Sequence, residues 1–166
     1  TGDNMATLAT IMNALALQSA LERAGVETRV LSAIPVNDLA EPFIRRRALR
    51  HLEKKRVVVL AGGTGNPYFT TDTTAALRAL QIRANVLAKG TKVDGVYSAA
   101  PEEAPDAEFF EELTFLDVLQ QRLRIMDSTA VSLCMDNSQT INVFNMKEQG
   151  NIVKFLSGER LGTMVV

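Results

Sequence analysis

The stretch Val57-Val58-Val59-Leu60-Ala61-Gly62-Gly63-Thr64-Gly65-Asn66-Pro67-Tyr68-Phe69-Thr70-Thr71-Asp72 decides the fold of this chain. It begins as an apolar, mostly β-branched run, continues as a glycine-rich turn, and ends before the helical pattern of residues 73–82. This order predicts a buried strand, a flexible loop and the start of a helix. Because a helix N-terminus presents unpaired N–H groups and a partial positive charge, the stretch also predicts a phosphate site.

The same stretch has a plainer interpretation, in which it is a strand-to-helix turn capped by Thr71 or Asp72. Two common phosphate motifs do not fit it. No window matches the G-x-x-x-x-G-K-[ST] loop, and a G-x-G-x-x-G fingerprint starting at Gly63 would need a glycine where Tyr68 stands. The residues therefore leave two alternatives, a phosphate site of another class or a capped turn.

The composition bounds the class of protein. The chain has 166 residues, a hydrophobic content of 46% and a net charge of −1, which predicts one folded domain over residues 1–166. The near-neutral charge argues against a nucleic-acid partner, and no apolar run approaches the about 20 residues of a membrane span. A lone Cys134 and a lone His51 cannot form a Cys/His zinc site. His51 is expected to be a solvated surface residue.

Hydrophobic periodicity predicts alternating helices and strands. Predicted helices cover residues 5–21, a segment that begins at Pro42, and residues 73–82, 116–123, 128–135 and 152–156. Predicted strands cover residues 28–33, 57–61, 85–89, 96–97, 112–115, 141–145 and 163–166. Residues 101–105 are expected to form an exposed loop, Phe43, Ile44, Leu49 and Leu52 the inner face of the second helix, and Asp127 or Ser128 a helix cap.

This alternation predicts an α/β fold, a three-layer αβα sandwich with a mainly parallel central sheet. Ligands of such sheets bind beyond the carboxyl ends of the strands. Three polar or glycine-rich segments follow predicted strands, at residues 61–72, 89–97 and 145–150. These segments are where a ligand site is expected.

The residues resemble a known family. The run Gly62–Asp72, followed by Lys89-Gly90-Thr91-Lys92-Val93-Asp94-Gly95-Val96-Tyr97, is similar to the bacterial uridylate (UMP) kinases of the amino acid kinase superfamily. Shorter matches cover essentially the rest of the chain: Gly2-Asp3 with Met5, Leu8-Ala9-Thr10, Ser32-Ala33-Ile34-Pro35, Ile125-Met126-Asp127 and Val143-Phe144-Asn145-Met146.

The resemblance implies two nucleotide sites. The UMP-binding residues would be Thr64, Gly65, Asn66, Pro67, Tyr68, Phe69, Thr70 and Thr71, with Asp3 on the sugar. Thr91 and Tyr97 would contact ATP. We expect Lys89 to neutralise charge on the donor side and Asp127 to orient a lysine or lie near the metal, which makes both catalytic candidates. The alternatives are a snorkelling surface lysine and an ordinary helix cap.

The implied activity is transfer of the γ-phosphoryl group of ATP to UMP, which gives UDP in pyrimidine nucleotide biosynthesis. Mg²⁺ would arrive with ATP rather than occupy a dedicated protein site. The resemblance further implies a cytoplasmic hexamer that GTP activates and UTP inhibits.

The chain also departs from the family pattern, which begins with a K-x-S-G-E loop and a second glycine-rich loop. This chain matches roughly the C-terminal two thirds, so we expect an N-terminally truncated domain. Ala100 stands where the family has the aspartate of Y-x-x-D-P, Ala104 where an acidic residue is common, and Ala6 where glycine is usual. An alternative is therefore a catalytically impaired nucleotide-binding fragment or paralogue. A relative that phosphorylates a carboxylate or carbamate is disfavoured by the Thr64–Pro67 string.

Overall fold

The fold is taken from a computed structural model that describes residues 2–99, 104 and 106–166. The chain divides into two compact units, Thr1–Thr74 and Ala75–Val166, so that a single domain over residues 1–166 stays a prediction. No helix in the described ranges is long and apolar enough to cross a membrane. Ala100 and the predicted loop at 101–105 lie outside the described residues, except for the half-buried Ala104.

The first unit is a three-stranded parallel sheet with helices. Its elements are α1 (Gly2–Arg23), β1 (Thr28–Ser32), β2 (Glu41–Pro42), α2 (Arg45–Glu53) and β3 (Val57–Ala61), and α3 (Thr71–Ile82) begins in it. The strand order is β2-β1-β3, and β1 pairs with β3 from Thr28↔Val57 to Ser32↔Ala61. Its core joins Ile11 and Ala14 of α1 to Val30 and Ala61 of the sheet.

Helix α1 buries only part of the face that its apolar residues suggest. Met5, Leu8 and Met12 are 67%, 51% and 70% exposed, whereas Ile11 and Ala14 are buried. The helix ends at Arg23, and Gly25, which has a φ of 83°, lets the Val26 N–H bond the Leu21 carbonyl at 2.9 Å. The predicted period is therefore correct, but much of the apolar stripe faces solvent in this unit.

The predicted helix start at Pro42 is wrong. Pro42 pairs with Ser32 in β2, at the edge of the sheet, where its missing N–H removes no ladder bond. Helix α2 begins three residues later and buries Ala48, whereas Ile44 and Leu52 of the predicted inner face are exposed.

Two burial predictions in this unit also fail. The His51 side chain is only 12% exposed, because its Nε2 lies 3.1 Å from the Glu41 carboxylate and its Nδ1 lies 3.3 Å from Arg56 Nη1. Strand β3 is less buried than predicted: Val57 is exposed, and only Ala61 is buried.

The second unit contains a four-stranded mixed sheet and a two-stranded ribbon. Its further elements are β4 (Leu87–Thr91), β5 (Val96–Tyr97), β6 (Phe109–Phe110), β7 (Glu112–Leu113), α4 (Phe115–Gln120), α5 (Ser128–Asp136), β8 (Ile141–Asn145), α6 (Asn151–Leu156) and β9 (Thr163–Val165). The sheet order is β4-β8-β9-β7, with β4/β8 and β7/β9 parallel and β8/β9 antiparallel, and β5 pairs with β6. The α/β fold class with parallel strand pairing is confirmed.

Local capping explains why two element boundaries differ from the predictions. Thr114 and Asp117 form a reciprocal capping box, so Phe115 is the first residue of α4 rather than the end of a strand. Arg83 has a φ of 57° after α3, and β4 begins at Leu87 instead of at residue 85. Strand β4 also continues to Thr91, two residues beyond its predicted end, which places a candidate ATP ligand at the strand's carboxyl end.

Candidate functional site: a glycine-threonine loop and a cavity beside β4

The loop that follows β3 depends on its glycines. Gly62, Gly63 and Gly65 have φ values of 79°, 63° and 80°, a region that L side chains rarely adopt. A Cβ atom at Gly65 would lie 3.1 Å from the Ala33 carbonyl oxygen, and one at Gly62 would lie 3.2 Å from the Ala33 nitrogen. The loop backbone therefore runs close against the segment that follows β1.

A hydrogen bond joins this loop to helix α1. The N–H of Gly62 donates to Thr10 Oγ1 at 3.0 Å, and the same hydroxyl donates to the Thr7 carbonyl oxygen at 2.7 Å. Sequence reasoning did not single out Thr10 as a support for the site. Its place in the run Leu8-Ala9-Thr10, one of the matches to the family pattern, is the signal that could have identified it.

The outer part of the loop is a threonine-stabilised turn. Thr64 Oγ1 accepts the Asn66 N–H at 3.1 Å and donates to the Asn66 carbonyl oxygen at 3.2 Å. Residues 65–71 are exposed, and Tyr68 is 96% exposed with a φ of 68°. The turn therefore presents a run of exposed backbone and side-chain groups to solvent.

Thr70 caps the start of α3, in place of the predicted Thr71 or Asp72. Its Oγ1 accepts the Thr73 N–H at 3.0 Å, while Thr71 is the first helical residue and is exposed. Asp72 lies in the first turn, where a carboxylate interacts favourably with the helix dipole. The turn is therefore capped, but by Thr70 rather than by either predicted residue, and Thr71 lies at the exposed helix end.

The remaining predicted acceptor residue, Asp3, lies in the first turn of α1 and is exposed. Asp3 and residues 64–71 all belong to the first unit. Ala6, the departure nearest to Asp3, is exposed on the same helix.

A cavity of about 440 Å³ lies in the second unit and contains three of the predicted donor-side residues: Lys89, Thr91 and Tyr97. Its volume is within the range of small-molecule sites. Its walls come from the carboxyl half of β4, residues 93–99 and residues 121–125. Lys89 is half-buried on β4, which brings an ammonium group to this cavity.

Two of these side chains have defined local partners. Thr91 Oγ1 donates to the Val93 carbonyl oxygen at 2.7 Å and accepts the Val93 N–H at 3.2 Å, which shapes the turn after β4. The Tyr97 ring packs edge-on against Phe109, with ring centroids 5.2 Å apart and an interplanar angle of 62°. These contacts fix the turn and one wall of the cavity.

Asp127 is not among the residues that line this cavity. It is the N-cap of α5, where its Oδ1 accepts the Ala130 N–H at 2.9 Å. The predicted cap is confirmed. Among residues 2–99, 104 and 106–166, no group of three or more His, Cys, Asp or Glu side chains is arranged to hold a metal ion.

The wall at residues 121–125 was not predicted. Helical periodicity extended the preceding helix to residue 123, but α4 ends at Gln120 and Arg122 has a φ of 53°. Gln121, Arg122 and Arg124 therefore lie on an irregular segment along the cavity. No local sequence signal marks this break, because glutamine and arginine are good helix formers.

Comparison with known proteins identifies similar folds over nearly the whole chain. The model of the amino acid kinase family matches residues 1–145. The crystal structure of UMP kinase from Bacillus anthracis is 36% identical with a TM-score of 0.94, and the match covers 98% of this chain and 68% of that one. UMP kinase from Ureaplasma parvum is 41% identical with a TM-score of 0.93, over 98% of this chain and 70% of that one. Uridylate kinase from Archaeoglobus fulgidus is 31% identical with a TM-score of 0.71, over 99% and 71%.

Proposed function

This chain belongs to the amino acid kinase family, and we propose that it acts as a UMP kinase. The reaction would transfer the γ-phosphoryl group of ATP to a phosphate oxygen of UMP and give UDP and ADP. The observation that carries the proposal is the loop of residues 62–70, because its left-handed glycines and the exposed Thr70 precede a helix N-terminus in a relative of UMP kinases.

The acceptor half of the proposal assigns UMP to residues 64–71. The exposed hydroxyl of Thr71 and the backbone at the N-terminus of α3 are groups that bind phosphate oxygens. Thr70, as the cap, holds the helix end in place, and Thr64 fixes the turn before it. Asp3 would accept hydrogen bonds from the ribose hydroxyl groups.

The donor half assigns ATP to the cavity of the second unit. Tyr97 offers an aromatic wall, Thr91 shapes the turn beside it, and Lys89 supplies a positive charge. Phosphoryl transfer depends on positioning and on neutralising the charge of the transferred group. We therefore propose Lys89 as the residue that stabilises charge on the donor phosphates.

Mg²⁺ enters the proposal as the ATP complex. The ion usually keeps several waters and binds one or two carboxylates together with substrate phosphates. We propose that Asp127 supplies a carboxylate on this side of the site, where it either lies close to the ion or orients a lysine. The ion would neutralise charge on the donor phosphates, and the chain's own contribution is to hold the nucleotide and its counter-charges.

The oligomer, the effectors and the cytoplasmic location are also proposals. Helix α1 exposes the apolar side chains of Met5, Leu8 and Met12, which supports assembly into a homo-oligomer. We propose a hexamer, the assembly that the family resemblance implies. UTP shares its uridine and phosphate groups with UMP, so inhibition by UTP is expected to compete with UMP. Activation by GTP is tested by measuring UDP formation with and without GTP.

The test is UDP formation from UMP and Mg-ATP, together with calorimetric binding of each nucleotide. UDP formation supports the proposal. Binding of UMP without UDP formation would instead favour the alternative of a nucleotide-binding protein without catalysis. Failure of a folded preparation to bind UMP would contradict both, and phosphorylation of a carboxylate or carbamate acceptor would indicate another specificity within the family.

A further inference from the structure

Thr163 is a fully buried hydroxyl group that connects three strands. It is the first residue of β9, with 0% of its surface exposed. Its Oγ1 accepts the N–H of Val96 in β5 at 2.8 Å and donates to the carbonyl oxygen of Phe110 in β6. A single side chain thus satisfies polar groups of both ribbon strands from the neighbouring sheet.

The backbone around this contact leaves little space. A Cβ atom at Gly95 would lie 2.5 Å from Thr163 Oγ1 and 2.8 Å from Phe109 Cε2. A glycine is therefore required at position 95 for β5 to approach the hydroxyl. The approach fixes the depth at which β5 sits against β9.

Strand β5 is also a wall of the donor cavity. Gly95, Val96 and Tyr97 line the cavity, whereas Thr163 is not among the lining residues. The Tyr97 ring packs against Phe109, which precedes the second hydrogen-bond partner of Thr163. Moving the ribbon would therefore move the aromatic wall of the cavity.

We propose that Thr163 is a positioning residue for the donor nucleotide, which holds the β5 wall and Tyr97 at the distance that ATP binding requires. This inference rests on the proposed function, because that function assigns the cavity to ATP. Without the Thr163 hydroxyl, the buried N–H of Val96 would have no acceptor, which is energetically costly. The ribbon would then shift to bring this N–H to water or to another acceptor.

The experiment compares three variants of the full chain. Thr163→Val keeps the shape of the side chain but removes the hydroxyl, and Thr163→Ser keeps the hydroxyl. Thr28→Val is the matched control, since Thr28 is also fully buried but its Oγ1 donates to Val26 in the first unit. The readouts are the dissociation constants for Mg-ATP and for UMP, and amide exchange in residues 95–99.

Thr163→Val is expected to weaken Mg-ATP binding by about tenfold, which corresponds to about 1.4 kcal/mol, and to leave UMP binding unchanged. Exchange of the Val96 amide should accelerate in this variant. Thr163→Ser should bind ATP within about twofold of the unaltered chain, because serine keeps the hydroxyl group that bonds both ribbon strands. Thr28→Val should leave ATP binding unaltered.

Unchanged ATP affinity in Thr163→Val overturns this inference but leaves the proposed function intact. A loss of ATP affinity of about tenfold in Thr163→Ser, measured against the unaltered chain, also overturns it, and this result can be read even if the valine variant does not fold. If the unchanged chain binds no ATP, the donor assignment of the proposed function fails, and the inference fails with it.

Discussion

The N–H of Gly62 donates a hydrogen bond to the hydroxyl of Thr10, 3.0 Å away, and thereby ties the loop after β3 to helix α1. Gly62 is buried, so its N–H has no access to bulk water when this acceptor is removed. The phosphate-binding role proposed for the loop therefore depends on a residue of α1 that need not touch the ligand.

Thr10→Val should destabilise the chain by about 1–3 kcal/mol, because it leaves the Gly62 N–H without its acceptor. UMP binding should weaken in parallel, since the loop loses its anchor. Urea unfolding and calorimetric titration measure the two effects. Thr10→Ser keeps the hydroxyl and is the control; equal stability of the valine and serine variants would contradict this account of the loop.

Thr71→Val should weaken UMP binding by about tenfold or more, because a hydrogen bond to a charged group contributes about 1.5–3 kcal/mol. Thermal stability should remain near that of the unchanged chain, because Thr70 rather than Thr71 caps the helix. Thr71→Ser, which keeps the hydroxyl, is the comparison variant and should bind UMP nearly as well as the unaltered chain. Unchanged UMP affinity in Thr71→Val would remove Thr71 from the acceptor site.

The capping box of α4 should make stability depend on pH at the acid end. The hydrogen bonds from the Thr114 side chain and backbone N–H hold the pKa of Asp117 below its usual range. A lowered folded-state pKa stabilises the fold above the unfolded-state pKa, of about 3.9 for aspartate, and this stabilisation disappears as the pH falls through the folded-state value.

Asp117→Asn should therefore be less stable than the unchanged chain at pH 7, and the difference should shrink between about pH 5 and pH 2. Chemical unfolding over this pH range measures it. A difference that stays constant with pH would show that the carboxylate charge does not contribute.

Cys134 should be unreactive in the folded chain. The thiol is fully buried in the core of the second unit, and burial raises its pKa to about 11. Labelling with a thiol reagent at pH 8 should therefore wait for unfolding and become fast in urea. Mg-ATP should slow labelling further if it binds the folded state. Fast labelling without denaturant would contradict the burial of this core.

Strand bounds were predicted best where apolar, mainly β-branched or aromatic residues predominate. Val57–Ala61 has the predicted bounds although its burial was overestimated. Ile141–Asn145 lies in the middle of its sheet, and its predicted and observed bounds are also the same. Pro42 misled the prediction because proline suits both a first helical turn and an edge strand, and only pairing with Ser32 decides between them. His51 reads as a surface residue until folding brings Glu41 and Arg56 beside it.

In the candidate sites too, residues within a local motif were predicted, whereas features set by long-range contacts were not. The motif located Lys89, Thr91 and Tyr97, and the structure brings all three to one cavity. Neither the wall at residues 121–125 nor the role of Thr163 could be predicted, because both depend on contacts between segments distant in sequence. Thr163 lies 67 residues from its partner Val96, and no local pattern marks that hydrogen bond.

Transfer of phosphate to UMP is the most direct measurement of the central claim. The chain is incubated with UMP and Mg-ATP labelled at the γ-phosphate, and the nucleotides are separated by anion exchange. The account predicts label in UDP that requires UMP and that falls in Thr71→Val at subsaturating UMP. A folded preparation that leaves all the label in ATP, or releases it only as inorganic phosphate, would contradict the account.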